Sequence, residues 1–188
     1  GGAGFIGLHL AKRLLDKGYQ VDLIDNFSRA VDDKDLKDTL VHNKVNFYNI
    51  NLLDSTQLNS LGTDYDFIFH LAAQPIVQES YTDPYHTMQT NIMGTVSVLE
   101  ALRVVNHSCT AVFITSDKCY DNVEWVWGYK ETDALGGKDP YSASKGAAEL
   151  MIKTYAESYF KSDKSNVKVA CGRAGNVIRG GDWAAFRI

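Results

Sequence analysis

The segment Tyr141-Ser142-Ala143-Ser144-Lys145 sets a phenol and an ammonium four residues apart, on one face of a helix. A free tyrosine titrates at about pH 10 and is a poor base at neutrality. A cation one turn away lowers that pKa, so the phenolate takes a proton from a hydroxyl as hydride leaves the same carbon. Asp139 is the expected N-cap and Pro140 suits the first helical position. Y-x-x-x-K alone is weak evidence, and its meaning depends on what faces it. The nearest candidates are Thr115-Ser116-Asp117-Lys118, just after an apolar strand-like run. There Ser116 is expected to hydrogen-bond the reacting hydroxyl and Asp117 to act as an acid. Without the Tyr–Lys pair, a plain strand-end turn would describe them as well.

A second cluster opens the chain. Gly1-Gly2-Ala3-Gly4-Phe5-Ile6-Gly7 satisfies G-x-G-x-x-G over residues 2 to 7. Such glycines allow a tight turn, close approach to a pyrophosphate and helix–strand contact, and the helix that follows offers free N–H groups to phosphate. A helix with Ile6, Leu10, Leu14 and Leu15 on one face follows, and Asp25 ends the next strand, 18 residues after Gly7. An acid at that place accepts hydrogen bonds from ribose hydroxyls and repels a 2′-phosphate, which points to NAD over NADP; Arg29 keeps the second open.

These residues need a parallel sheet to bring them together. Strand-like runs at Val21–Ile24, Val45–Tyr48, Phe67–Phe69, Ala111–Ile114 and Val167–Ala170 alternate with helical patterns at Phe5–Lys17, Ser55–Leu61, Asp83–Val105 and Pro140–Phe160. That alternation predicts an α/β fold, a doubly wound parallel Rossmann-type sheet. The strand expected before the glycine turn is absent from the sequence, so the chain is read as truncated at its N-terminus. Residues 1–175 are assigned to an NAD-binding domain, and the Gly-rich 176–188 to the start of a sugar-nucleotide-binding region that is cut short.

The 188 residues suit one domain, and a net charge of −4 argues against a nucleic-acid grip. No apolar run is long enough for a membrane span and no secretory signal opens the chain. Three scattered cysteines and five scattered histidines give neither a disulfide framework nor metal spacing, so no metal and a cytoplasmic setting are expected.

Together, the glycine turn, Asp25, His70-Leu71-Ala72-Ala73, Asn91-Ile-Met-Gly-Thr95 and Tyr141…Lys145 resemble the extended short-chain dehydrogenase/reductase family, the NAD-dependent epimerases and dehydratases. Within it, Thr115–Asn122, Glu124-Trp-Val-Trp-Gly-Tyr129, Gly136-Gly137, Asp139–Ser142, Arg173–Val177 and Gly180-Gly-Asp-Trp183 are similar to the branch of 4,6-dehydratases that act on CDP-glucose. The resemblance implies that Tyr141 is the base at the sugar 4-hydroxyl, that Lys145 tunes it and holds the nicotinamide ribose, and that Asp117 protonates the departing 6-hydroxyl. Lys118 stands where dTDP-glucose dehydratases carry a Glu that helps remove the C5 proton. It implies further cofactor contacts at Gly1, Gly4, Phe5, Ile6, Gly7, Asp25, Asn26, Asn51, Leu52, Leu71, Ala72, Ala73, Asn91 and Thr115. Substrate contacts are implied at Gln74, Ser116, Asp117 and Asn176. A homo-oligomer, dimer or tetramer, and no partner beyond a sugar nucleotide are expected.

Three departures qualify this. Asn51 replaces an Asp that reads the adenine amine, although an amide oxygen also accepts that bond. Arg179 replaces a glycine. The glycine turn and Asp25-Asn-Phe27 look more like sugar 4-epimerases, which with dTDP-glucose 4,6-dehydratases are the alternative activities; an NAD-binding scaffold or sensor without turnover is the non-enzyme alternative. His70 reads as a strand-end residue near the cofactor, and Arg173 as an internal ion-pair partner. Trp125 and Trp127 read equally as base-stacking or packing aromatics. The stripe Met88, Ile92, Val96 and Leu99 reads as core or, in relatives, a dimer face.

Overall fold

The computed structural model describes residues 1–29, 34–62, 64–162 and 165–182. The chain runs α1 (Phe5–Asp16), β1 (Val21–Asp25), α2 (Lys34–Leu40), β2 (Val45–Asn49), α3 (Ser55–Asn59), β3 (Phe67–His70), α4 (Val77–Thr82) and α5 (Pro84–Met88). A π-helical turn at Gln89–Met93 leads into α6 (Gly94–Leu102), then β4 (Cys109–Ser116) with a 3₁₀ turn at Asp117–Cys119. The chain continues through α7 (Pro140–Tyr155), a π turn at Ala156–Phe160 and β5 (Val167–Ala174).

All strand pairs are parallel. β1 pairs with β2 from Val21↔Val45 to Asp25↔Asn49, and β4 lies between β3 and β5, from Cys109↔Val167 to Ser116↔Ala174. Parallel strands joined by helices put every carboxyl end on one edge, where open α/β sheets bind ligands. The described residues therefore form two sheet segments of the expected α/β class. Gly1 and Gly2 lie between them: Gly1 N and the Gly2 amide both donate to Ile24 O, at 2.8 and 3.1 Å, and a Cβ on Gly1 would stand 2.4 Å from Ala72 N.

The main core lies on one side of β4. Leu99 and Leu102 of α6 and Ile152 of α7 pack against Cys109, Ala111 and Phe113 of β4 and Val167 of β5. A smaller cluster of Ala11, Val21 and Leu23 seats α1 on β1. The face that α1 buries fully is Gly7, Leu8 and Ala11, whereas Ile6, Leu10, Leu14 and Leu15 are half-buried. Small residues let the helix come closest to the sheet, and the larger ones flank that contact.

Helix ends follow local chemistry. Asp83 accepts from His86 N at 2.9 Å with Pro84 at the first position, and Asp139 accepts from Ser142 N at 2.9 Å with Pro140 there. The single helix expected over Asp83–Val105 is instead α5, a π turn and α6. This extra residue in one turn changes the face that is buried. Thr87, Asn91, Thr95, Val98 and Leu99 point inward, while Met88, Ile92 and Val96 of the expected stripe are only half-covered. The short helices α2 and α4 have no sequence counterpart above, because segments of seven and six residues hold too little periodicity to be seen. β4 and β5 extend beyond the apolar runs to Ser116 and Ala174. The one charged residue in these extensions, Arg173, is carried there by a buried partner.

Leu99 is 0 % exposed at the centre of the main core. Leu99→Ala is expected to cost about 2–5 kcal/mol of stability, read as a lower urea midpoint with unchanged secondary structure by circular dichroism.

Candidate active site

A cleft of about 970 Å³ follows the carboxyl edge from the glycine turn to Tyr141 and Lys145. At one end Gly4 caps α1 without a side-chain bond, and the first turn of α1 holds no acid. The free N–H groups and positive end of that helix are thus available to an anion. Gly7 is required sterically: a Cβ there would lie 2.3 Å from Gly1 O and 2.7 Å from Gly2 O. Asp25 ties this turn to β1. Its Oδ2 accepts from Ala3 N at 3.0 Å and its Oδ1 from Phe27 N at 2.9 Å. Each oxygen keeps one lone pair, and Asp25 lines the cleft. Phe27 holds a left-handed φ of 56°, which turns the chain after the strand.

Of the expected contacts, Gly1, Gly4, Phe5, Ile6, Gly7, Asp25, Asn26, Asn51, Leu52, Leu71, Ala72, Ala73, Thr115, Ser116, Lys118, Tyr141, Lys145 and Asn176 line this cleft. Asn51 uses its amide oxygen in a local turn, accepting from Leu53 N at 3.0 Å. Arg29 also lines the cleft and pairs at 2.6 Å with Glu79 of α4. Val177, Ile178 and Arg179, from the segment assigned to sugar-nucleotide binding, also line it. Trp183 lies outside the described residues.

Gln74 and Asn91 stand behind the wall, both 2 % exposed. Gln74 N donates to Asn91 Oδ1 at 2.8 Å, and Asn91 Nδ2 donates to Gln74 O at 3.1 Å and Ser144 Oγ at 2.8 Å. Gln74 Nε2 serves Ile76 O and Thr87 Oγ1, and its Oε1 accepts from Ile76 N. Their amide groups are consumed internally, so the expected substrate contact of Gln74 and cofactor contact of Asn91 give way to a brace. That brace joins the loop after β3, the π turn and α7.

At the other end, Tyr141 and Lys145 are each 7 % exposed on α7, with Lys145 Nζ 6.0 Å from the Tyr141 ring centroid. Burial lowers the Lys145 ammonium to about 8, against a smaller opposing pull from the side chains of Cys171, Cys119 and Glu149. No group among the described residues accepts a hydrogen bond from Nζ. A buried cation that borders a cleft without an acceptor is suited to a ligand hydroxyl. Opposite, Ser116 Oγ donates to Asp117 Oδ1 at 3.0 Å and accepts from Lys118 N at 3.2 Å. Asp117 is on the exposed rim, with Lys118 Nζ 4.0 Å away, and does not itself line the cleft.

Behind the pair lies a group the motifs did not single out. Glu149, 6 % exposed, accepts from Arg173 Nε at 2.9 Å and Arg173 Nη2 at 2.8 Å. It also accepts from Thr115 Oγ1 and from Cys171 Sγ at 3.3 Å. Burial pushes its carboxyl up, but these hydrogen bonds outweigh that and the net direction is down. Its signal was present in the sequence, one helical turn after Lys145. Arg173 is the internal ion-pair partner expected of it, and it also donates to Tyr120 Oη at 2.7 Å. Cys119 is fully buried and burial pushes its thiol up to about 11, the opposite of a reactive cysteine. Among the described residues no metal-binding cluster exists, and no helix is long and apolar enough to cross a membrane.

Parallel strands whose ends carry a glycine turn, an acid and a Tyr–Lys helix define a Rossmann-type protein of the epimerase and dehydratase kind, and comparison with known proteins agrees. The chain belongs to the GDP-mannose 4,6 dehydratase family, whose pattern matches residues 1–167. It is 52% identical over 126 residues to the CDP-glucose 4,6-dehydratase of Salmonella typhimurium, covering 65% of this chain and 35% of that protein. It is 32% identical to the UDP-glucose 4-epimerase of Mus musculus, over 81% of this chain and 46% of that one. Among solved structures, the dTDP-glucose 4,6-dehydratase DesIV of Streptomyces venezuelae, with NAD and TYD bound, superposes with a TM-score of 0.79 at 25% identity. That match covers 91% of this chain and 53% of DesIV. The chain thus spans about half or less of the length of these relatives.

His70, at the end of β3, is 7 % exposed and does not line the cleft. Thr95 donates its hydroxyl proton to Asn91 O at 2.7 Å, so the 3.1 Å contact between His70 Nε2 and Thr95 Oγ1 is donated by the imidazole. Burial holds His70 down to about 3, with cationic charge nearby acting the same way. Below its ordinary value of 6.5 the unfolded chain takes up a proton that the folded one does not. Its contribution to stability is therefore unchanged above pH 6.5 and is lost progressively as pH falls from there toward 3. Urea titrations across that range are expected to show a steeper fall for the parent than for His70→Gln.

Proposed function

We propose that this chain is the cofactor-binding part of a sugar-nucleotide 4,6-dehydratase that uses NAD and converts CDP-glucose to CDP-4-keto-6-deoxyglucose. The observation that carries the reading is the meeting, across one cleft, of the buried Tyr141–Lys145 pair with Ser116 and the rim residues Asp117 and Lys118. The 52% identity to a CDP-glucose dehydratase favours that nucleotide. On this reading residues 1–175 hold the cofactor and residues 176–188 begin the sugar-nucleotide region.

Two observations fit a dinucleotide. The absence of a Cβ at Gly7 lets α1 pack directly on the carbonyls of Gly1 and Gly2, beside an uncapped helix end. Lys145 Nζ, buried and without a protein acceptor, suits a ribose hydroxyl at the far end of the same cleft. Asp25 is the ribose partner at the near end, and its carboxylate disfavours a 2′-phosphate. Arg29, the cation that would favour one, is engaged with Glu79. Held by Asp25, the glycine turn and Lys145, NAD would supply a hydride acceptor for C4 and a donor for C6, so the overall conversion would be redox-neutral.

The chain's own residues supply the proton transfers. Tyr141 takes the proton of the 4-hydroxyl, favoured by the Lys145 ammonium on the same helix face. Ser116 hydrogen-bonds that hydroxyl and orients it. With a carbonyl at C4, the C5 proton is acidic, and Lys118, which lines the cleft where dTDP-glucose dehydratases carry a Glu, is the residue assigned to receive it. Asp117 gives a proton to the 6-hydroxyl as water leaves. The half-exposed position of Asp117 suits a group that exchanges protons with solvent and is covered only when substrate binds.

The runner-up is a 4-epimerase, which needs Tyr141 and Lys145 but no acid at position 117. It is favoured by solved epimerases such as that of Thermus thermophilus with NAD, which superposes with a TM-score of 0.76 at 29% identity. The test is to incubate the protein, carrying the flanking lengths its relatives have, with CDP-glucose and NAD and to follow the sugar nucleotide by mass spectrometry. Loss of one water without accumulation of NADH is expected. An unchanged mass with a new sugar epimer would move the assignment to the runner-up. Asp117→Asn is expected to slow dehydration by about 10²–10⁴-fold, while oxidation at C4 stays measurable by NADH absorbance. Dehydration at the parental rate would remove Asp117 from its role.

A further inference from the structure

We propose that Glu149 is a positioning residue for the Tyr141–Lys145 pair. It is a carboxylate outside the cleft that fixes where the pair sits and balances the buried Lys145 ammonium. The inference rests on the catalytic reading of that pair, but its geometry is independent of any substrate.

Glu149 connects three elements. It lies on α7, one turn beyond Lys145, which is itself one turn beyond Tyr141. Its Oε1 accepts from Thr115 Oγ1, the residue before Ser116 at the end of β4. Both carboxylate oxygens are held by Arg173 of β5, three residues before Asn176. One side chain therefore joins the helix of the base to the strand ends that carry the other expected site residues. Arg173 is fixed in turn by Tyr120, whose ring lies 4.7 Å beneath its guanidinium. A bidentate pair of this kind constrains orientation as well as distance.

Lys145 is faced by groups from four elements. From β5 come Cys171 and Arg173, from the 3₁₀ turn Cys119, from β3 His70, and from α7 Tyr141 and Glu149. Burial pushes the Cys119 and Cys171 thiols up to about 11 and about 12, so both are neutral near pH 7. His70 is neutral there too, and Arg173 is a cation. Glu149 is then the anion left to balance the buried Lys145 and the part-buried Arg173. A Gln of the same shape at this position would leave Lys145 and Arg173 with no carboxylate, and the Lys145 ammonium would lose its proton more readily.

The measurement is a pH titration of the Lys145 side chain by NMR in the parent and in Glu149→Gln, paired with steady-state kinetics on CDP-glucose. The Lys145 midpoint is expected to fall in the variant, and kcat to fall at least tenfold at an NAD affinity within twofold of the parent. The alkaline limb of the kcat–pH profile is expected to move to lower pH together with the NMR midpoint. A merely structural role would lower the unfolding midpoint without moving either. An unchanged Lys145 midpoint, or kcat within twofold of the parent, would overturn the proposal. Glu149→Gln leaves the part-buried Arg173 without its carboxylate and is the variant at risk of not folding. Glu149→Gln with Arg173→Met removes both charges, and parental kcat in that folded double variant would overturn the proposal equally. If the parent turns over no sugar nucleotide, the dehydratase reading fails, and the Lys145 titration still decides the role of Glu149.

Discussion

A buried ammonium at the carboxyl edge of a parallel sheet is the demand around which this structure is arranged. Lys145 loses most of its hydration where it sits, and a desolvated cation is tolerated only beside compensating charge or a ligand. The fold meets part of that demand from behind, with Glu149, and leaves the front open to the cleft. The cost of holding α7 in this place explains why its inward face is so polar. Ser142, Ser144, Lys145 and Glu149 are all buried on one helix of 16 residues. Each polar group there except the Lys145 ammonium has a protein partner, as a low-dielectric interior requires.

Two separate polar networks hold α7, and they do different things. The Glu149–Arg173 pair ties it to β4 and β5, with the charge that Lys145 needs. The Gln74–Asn91–Ser144 brace ties it to the loop after β3 through neutral amides. That brace depends on the π turn at Gln89–Met93, which presents Asn91 inward. A helical turn with one extra residue is usually kept where a side chain must be re-aimed, and here the gain is an amide that bonds Gln74 in both directions. Residues that resemble ligands in a motif thus serve as the frame of the site.

The opposite end of the cleft is built on shape rather than charge. Gly7 packs against the carbonyls of Gly1 and Gly2, and Asp25 clamps the turn by accepting from amides on both sides of it. The same carboxylate that orders the loop faces the cleft, so the structural and the binding roles of Asp25 are not alternatives. Two rigid ends, one of them shaped by glycine and the other charged, set the length and direction of whatever lies between them.

The sequence by itself determined the α/β class, the parallel strands and the cap of α7, because apolar alternation and the Asp139-Pro140 signal are local. It also determined the two ends of the cleft, since a glycine turn with an acid at the next strand end and a Tyr–Lys helix each carry their meaning over a few residues. What it left out depends on partners distant in sequence. The inward turn of Asn91 follows from Gln74 and Ser144, and the extension of β5 to Ala174 from Glu149 meeting Arg173. The seating of α1 on Gly7, Leu8 and Ala11 follows from how closely a helix approaches β1. No motif encodes these, because a buried polar group is satisfied by whatever the fold brings to it. Only the packed structure decides which polar residues face a ligand and which hold the wall.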